Sequence, residues 1–314
     1  MLVKREVLLA KIESTYNTDP TPTGSADAIL VEGLKMGNEG ARMNERNPVR
    51  SSLAPLKQIF GGTLRAISFD VEIKGPGAAY SATVRPEIDV LLRACGMAVT
   101  VDTTSGAETA TYKPASSNQE SCTFYYYQDG VLTKMTGARG NASFALEGGT
   151  HGKISFTFTG HTSTPTDTSL ATPTYDSTTP VPFINASFSI DSFAAVISAL
   201  NFDIGNTLST PPDVNAADGY GEIQITARDV NGSFDPEHEL VATQAWEANW
   251  RSGLAMALAT GTIGGTQYNR YAISMPAVSY REIAQADRDG VRTLENSFGA
   301  HESSTDDEVS ILFT

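Results

Sequence analysis

The 314-residue chain carries 22 Lys and Arg against 36 Asp and Glu, a formal net charge of −14, with 40% hydrophobic and only 18% charged residues. Length alone allows about two domains, and no apolar run approaches the roughly 20 residues of a membrane helix. Such a balance argues against a conventional nucleic-acid binder, which needs Lys and Arg to displace phosphate counterions.

The charge is unevenly placed. Residues 1–160 hold 16 Lys+Arg and 16 Asp+Glu, whereas residues 161–314 hold 6 Arg, no Lys and 20 Asp+Glu, so the whole excess lies in the second half. Abundant Thr, Ser and Gly favour a β-rich chain with many turns.

The opening "MLVKREVLLAKIESTY" has an apolar stretch, Val7 to Ala10, too short for a secretory h-region, and Lys11 and Glu13 follow at once. It reads as an N-terminal arm, residues 1–25, of a protein made in the cytosol without Sec export. The segment 44–64, "NERNPVRSSLAPLKQIFGGTL", has more apolar groups than a solvated loop usually holds. It either folds onto its own domain or docks on another molecule.

Ile67, Phe69, Val71 and Ile73 alternate with Ser68, Asp70, Glu72 and Lys74, the period of a half-buried strand. A short helix follows at "RPEIDVLLRACG", with Pro86 suited to its start, Gly96 to its C′ position and Ile88, Leu91, Leu92 and Cys95 on one stripe. Asp129-Gly130 between two strand-like runs predicts a hairpin. Another follows at 142–158: Ala142, Phe144 and Leu146, then Ile154, Phe156 and Phe158, alternate with small polar residues. Its second face is rich in hydroxyls. Cys95, on the helical stripe, and Cys122, entering a strand, read as buried thiols.

Residues 161–181 are rich in Thr, Ser and Pro and read as a linker. Beyond it the same order recurs. Ile223, Ile225 and Ala227 alternate with Glu222, Gln224, Thr226 and Arg228. A helix is predicted around "TQAWEANWRSGL", with Thr243 as its N-cap. A turn at "DRDG" and a last strand at "DEVSILFT" complete the series. The repeated order predicts a mainly β fold of two tandem sandwich or barrel units, 26–160 and 182–314, each with one flanking helix.

Catalytic patterns are missing. His151, His161, His238 and His301 lack metal-ligand spacing, "DRDG" lacks the downstream ligands of a calcium loop, and phosphate-loop, dinucleotide and nucleophile-elbow motifs are absent. The residues point to no enzyme, no cofactor and no metal.

The stretches "VLLAKIESTYNTDPTPTGSADAILV", "LLRACGMA", "YYYQDGVLTKMTGARGNASFALEGG" and "DDEVSILFT" resemble the major tail tube proteins of long-tailed bacteriophages, in the same order from residue 7 to the C-terminus. The resemblance implies a virion protein, assembled in the host cytoplasm, whose copies form rings stacked into a hollow tube. Its implied partners are further copies of itself and the tape measure, tail tip and tail terminator proteins, with viral DNA passing through the lumen and no membrane involved. Two units per chain imply trimeric rings of pseudo-sixfold symmetry. Arg46, Val49, Arg50, Leu53, Leu56, Lys57, Ile59 and Phe60 are then candidates for a ring-stacking loop. Asp70, Glu72, Glu222 and Gln224 are candidates for a lumen-facing set, since a sliding polyanion requires a wall without exposed rings of Lys and Arg. The competing reading is a monomeric two-domain binding module, an adhesin or carbohydrate binder, with Phe124 to Tyr127 as its ligand platform.

Overall fold

A computed structural model describes Leu2 and residues 4–314. The first half runs β1 (Glu6–Ile12), β2 (Ala28–Ile29), β3 (Glu32–Glu39), β4 (Met43–Asn44), β5 (Ile59–Phe60), β6 (Leu64–Glu72), helix α1 (Asp89–Ala94), β7 (Met97–Asp102), β8 (Thr109–Pro114), β9 (Cys122–Gln128), β10 (Val131–Glu147) and β11 (Lys153–Thr162). It continues through β12 (Thr166–Asp167), β13 (Ser189–Ile190), β14 (Ala199–Asp203), β15 (Asn206–Ser209), β16 (Gln224–Arg228), β17 (Asn231–Phe234), helix α2 (Trp246–Ser252), β18 (Met256–Ala259), β19 (Tyr271–Arg288), β20 (Val291–His301) and β21 (Ser310–Phe313). The fold is mainly β, with a large antiparallel sheet and two short helices.

Eight strands of that sheet lie side by side in the order β3–β6–β11–β10–β14–β17–β20–β19. The register explains the alternation read from the sequence. One row across the sheet is Val71, Ile154, Phe144, Phe202, Gly232, Phe298 and Tyr280. All but Gly232 are buried hydrophobics, and Phe144 stacks on Phe202 with centroids 4.2 Å apart. Gly232 is obligatory here, because a Cβ would meet Phe298 at 2.6 Å and the Asn201 carbonyl oxygen at 2.4 Å. The neighbouring row, Glu32, Asp70, Ser155, Ser143, Asp203, Asn231, Gly299 and Ser279, points the other way. One face of the sheet is therefore apolar and core-forming, and the other polar, across both halves of the chain.

Local signals explain the turns. Asp129 and Gly130 both take positive φ, 36° and 106°, and Gln128 pairs with Val131 across them. Asp289 and Gly290 do the same at 55° and 83° between Arg288 and Val291. Helix α1 buries Leu91, Leu92 and Ala94, and Gly96 follows it at φ 77°. Both cysteines are free, fully buried thiols; burial pushes both well above the ordinary thiol range.

Two expectations need correction. Residues 224–228 join no main-sheet strand. They form the two-stranded ribbon β15–β16, with Ala227 exposed and only Ile223, just before it, buried. Helix α2 begins two residues later than Thr243 implies, with Ala245 at its N-cap and no side-chain cap. The Thr/Ser/Pro-rich segment that reads as a linker lies as a strap against the first half. β12 pairs with Val131 and Leu132, Leu170, Ala171 and Tyr175 pack on Val7, Leu9 and Tyr125, and Thr174 N–H donates to Gly24. Lys74 donates to the Asp176 carbonyl at 3.0 Å and pairs with Glu87 at 3.1 Å, both side chains being buried.

Candidate assembly surfaces

Asp70 and Glu72 lie on the polar face of β6, with Lys153 opposite Glu72 and Glu32 opposite Asp70. Asp70 accepts from Ser155 Oγ at 2.6 Å, and Glu32 holds Lys153 Nζ at 2.6 Å. That hydrogen bond is the main cause of a Glu32 carboxyl below its usual range. Further along, the face carries Asp203, Asp229 and Glu282, and Arg281 lies over Gly299 and pairs with Asp229. Of the cations on this face, Lys153 pairs with Glu32, Arg281 with Asp229 and Arg139 with Glu222, while Lys35 stands opposite Ser68. Ser, Thr and Asn fill most of the rest.

Glu222 and Gln224 do not join this set on the sheet. Gln224 opens β16 and Glu222 lies two residues before it, in the ribbon that Arg139 nails to the polar face. This buried guanidinium donates to Glu222 at 2.8 Å, to the carbonyls of Ile223, Gln119 and Glu120, and lies 5.1 Å from the Tyr16 ring centroid. Beside it, Tyr16 Oη accepts the Ile223 N–H at 2.7 Å, which leaves its own proton for His161 Nε2 at 3.0 Å. His161 Nδ1 in turn donates to Asp218 at 2.7 Å. Burial pushes the Tyr16 phenol up to about 12, so it remains a neutral donor. Glu13 supports the same corner. Its buried carboxylate accepts from the N–H groups of Asn17 and Gly137, both at 2.7 Å, and from the hydroxyls of Ser121 and Thr123. Gly137, at φ 59°, lies where a Cβ would strike the Tyr16 and His161 rings.

These buried groups were not found from the sequence. Arg139 is one of many surface-like charges there, and only the fold brings Tyr16, 145 residues away, against His161. The resulting chain of Tyr, His and Asp contains no nucleophile and serves the packing of residues 216–223 over the sheet. Glu32, Glu72 and His151 place ligand atoms within 4.8 Å of one another, yet Lys153 already occupies Glu32. No catalytic constellation is evident among the described residues. The aromatic platform is likewise corrected: Phe124, Tyr125 and Tyr126 are buried, and Tyr125 Oη is engaged by Asp19 and Lys134.

The 44–64 segment behaves differently. β4 and β5 pair with each other and with nothing else, making an arm that leaves the sheet between Glu39 and Leu64. Val49 and Leu53 are 106% exposed, Ile59 and Phe60 more than half exposed, and Arg46, Arg50 and Lys57 are in solvent, while Leu56 is half-buried. Of the two alternatives raised by this sequence, covering its own core is removed. Its root is held by the second half: Arg42 donates to the Gly219 carbonyl at 3.0 Å and stacks 3.8 Å from the Tyr220 centroid, and Tyr220 Oη donates to Gly40.

Each outermost strand of the eight-strand run has a side without a partner strand among the described residues. β3 pairs only with β6, and β19 beyond Val278 pairs only with β20. Unpaired edges are templates for another chain.

Among the described residues no helix is long and apolar enough to cross a membrane. A family model described as phage tail tube protein matches residues 4–300, nearly the whole chain. No curated protein matches it.

Proposed function

The chain belongs to the phage tail tube protein family, and on that premise we propose that it is a structural protein of the virion tail whose copies close into rings and stack into the hollow conduit for DNA. The observation that carries this reading is the eight-strand sheet with one apolar face, one polar face and a free edge on each side.

Strand order supports two related units. In the first half the neighbours are β3, β6, β11 and β10; in the second they are β14, β17, β20 and β19. Each series runs along the chain in the same way, with a helix between its second and third members. The division into an arm (1–25), a first unit (26–160), a strap (161–181) and a second unit (182–314) follows this correspondence. The pairing of β10 with β14 is then the internal version of a seam between units, and the equivalent seam between molecules joins β19 of one copy to β3 of the next. Rotation by a fixed angle closes such a head-to-tail contact into a ring, and three copies give pseudo-sixfold symmetry.

The polar face is assigned to the lumen. Asp70 and Glu72 lie on it, and Glu222 and Gln224 flank it from the ribbon. Its few cations are mostly paired, so it offers a polyanion little to grip. The arm is assigned to ring stacking through Arg46, Val49, Arg50, Leu53, Leu56, Lys57, Ile59 and Phe60. Its partners in the tail are further copies of this chain and the tape measure, tip and terminator proteins.

Negative-stain electron microscopy of the concentrated protein tests the reading. Hollow tubes or discs with threefold or sixfold end views are expected. Solid fibres, or discs without a central channel, would overturn it.

A further inference from the structure

The arm needs a surface to meet, and strand register locates one. The arm roots at the end of the sheet marked by Glu39, Leu64 and His161, which are mutual partners. The other end is marked by Glu72, Lys153, Ala145, Asn201, Ser233 and Ser297. The nine residues of β6 separate the two by about 25 Å.

At that far end of the second half, segments joined by backbone hydrogen bonds expose four apolar side chains. Leu240 and Val241 are 76% and 74% exposed, and Val196 and Val291 are also in solvent. The backbone draws them together: Glu237 N–H donates to the Val196 carbonyl and His238 N–H to the Arg292 carbonyl, both at 2.9 Å. Asp235 fixes the base by accepting from the N–H groups of Ser198 and Ala199 at 2.8 Å and from Arg288 at 3.0 Å. The segments that carry the apolar side chains also carry Asp235, Glu237, Glu239, Asp287 and Asp289 against Arg288 and Arg292, with Arg288 paired to Val291, Asp287 to Arg292 and Glu237 to Thr293 across the strands. Arg288 is already held by Asp235 and Glu237, and burial and the charge of Arg292 push the His238 imidazole below its ordinary value. The patch is apolar with an acidic rim.

The arm is its complement. Val49 and Leu53 stand fully in solvent, and Arg46, Arg50 and Lys57 oppose only Glu45. Arg50 donates to the Ala54 carbonyl at 2.6 Å, which shapes the tip and leaves Arg46 and Lys57 to meet outside charge.

We propose that the arm of one copy seats on the Val196–Leu240–Val241–Val291 patch of a second copy, its apolar tip on the aliphatic side chains and its cations on the acidic rim. This rests on the stacked-ring reading and names the receiving surface. Complementary surfaces at opposite ends of one sheet make the contact heterologous and open-ended, as an elongating stack requires.

The test mixes two full-length variants, Leu53→Cys and Leu240→Cys, under assembly conditions and treats them with a short bismaleimide. Cys95 and Cys122 are buried and do not compete. A cross-linked dimer in the mixture, absent from either variant alone, is expected. It should fall at least severalfold when Glu239→Lys is added to the Leu240→Cys chain. Tubes without that cross-link, or a cross-link within Leu53→Cys alone, would overturn the assignment and leave the tube intact. Subunits that stay dispersed at every concentration would overturn the stacked-ring reading and the assignment with it.

Discussion

Replacing residues 47–57 by Asn-Gly separates the arm's two conceivable roles. β4 and β5 would keep their pairing, and the 14 residues between them would become five. Val49 and Leu53 bury no area within the subunit, so their loss removes no hydrophobic stabilisation there. Shortening the loop lowers closure entropy by about 1 kcal/mol in the fold's favour. The subunit should therefore melt within about 3 °C of the parent. Assembly is a different matter. Burying Val49 and Leu53 in a contact is worth about 1.5–3 kcal/mol each, and the half of Leu56 still exposed about half as much. After the cost of ordering the loop, about 4 kcal/mol remains, a thousandfold in the association constant. Differential scanning fluorimetry reads the first quantity, and sedimentation with electron microscopy the second. A melting point lowered by more than about 5 °C, or tubes at parental yield, would refute the reasoning.

Arg139→Met should cost about 3–5 kcal/mol in a denaturant melt, because Glu222 and three carbonyls lose a buried cation; Glu222→Gln, at a half-exposed site, should cost under about 1 kcal/mol. Gly232→Val should destabilise by about 2 kcal/mol or more, since its side chain would meet Phe298 and the Asn201 carbonyl. Asp70→Lys with Glu72→Lys should leave tube formation intact but slow DNA ejection, measured as DNA released over time from reconstituted virions; unaltered ejection would remove the lumenal assignment. Asp235 supplies an acid limb to stability. Burial alone would raise its carboxyl, but hydrogen bonds from Ser198 and Ala199 and the charge of Arg288 hold it below the ordinary value. Its folded pKa being the lower, its contribution is complete above pH about 4 and is lost as pH falls through the folded pKa. Asp235→Asn should flatten the stability curve in that window, checked by urea melts across pH 2–5.

What could be read from the sequence was local. The pairs Asp129-Gly130 and Asp289-Gly290 need positive φ at adjacent positions, and few residue types supply it, so both hairpins were legible. The alternation of β6, β10 and β11 was legible because one face is buried and the other is not. The same pattern misled at residues 222–228: a ribbon lying on a sheet also hides every second residue near its start, and Ile223 supplied that signal without membership of the main sheet. The arm's apolar content was visible but its direction was not, since only the fold decides whether Val49 and Leu53 find a core. Arg139 and Glu13 carried no signal, because their partners are distant carbonyls and amides that any sequence possesses.

The edge strands have a kinetic consequence. β3 offers eight residues, mostly exposed, with Gly33 and Gly37 in place of side chains that would grip a partner and Glu32, Lys35 and Glu39 among the rest. One such strand pairing is weak and easily reversed. Closing the last seam of a ring makes two contacts for the ordering of one subunit, so the closed ring gains out of proportion to its open precursors. Polymerisation built on such edges should show a lag and a critical concentration, and a preformed ring end should abolish the lag. On the proposed assembly, the same weakness should keep newly made subunits apart in solution until a template presents both seams at once.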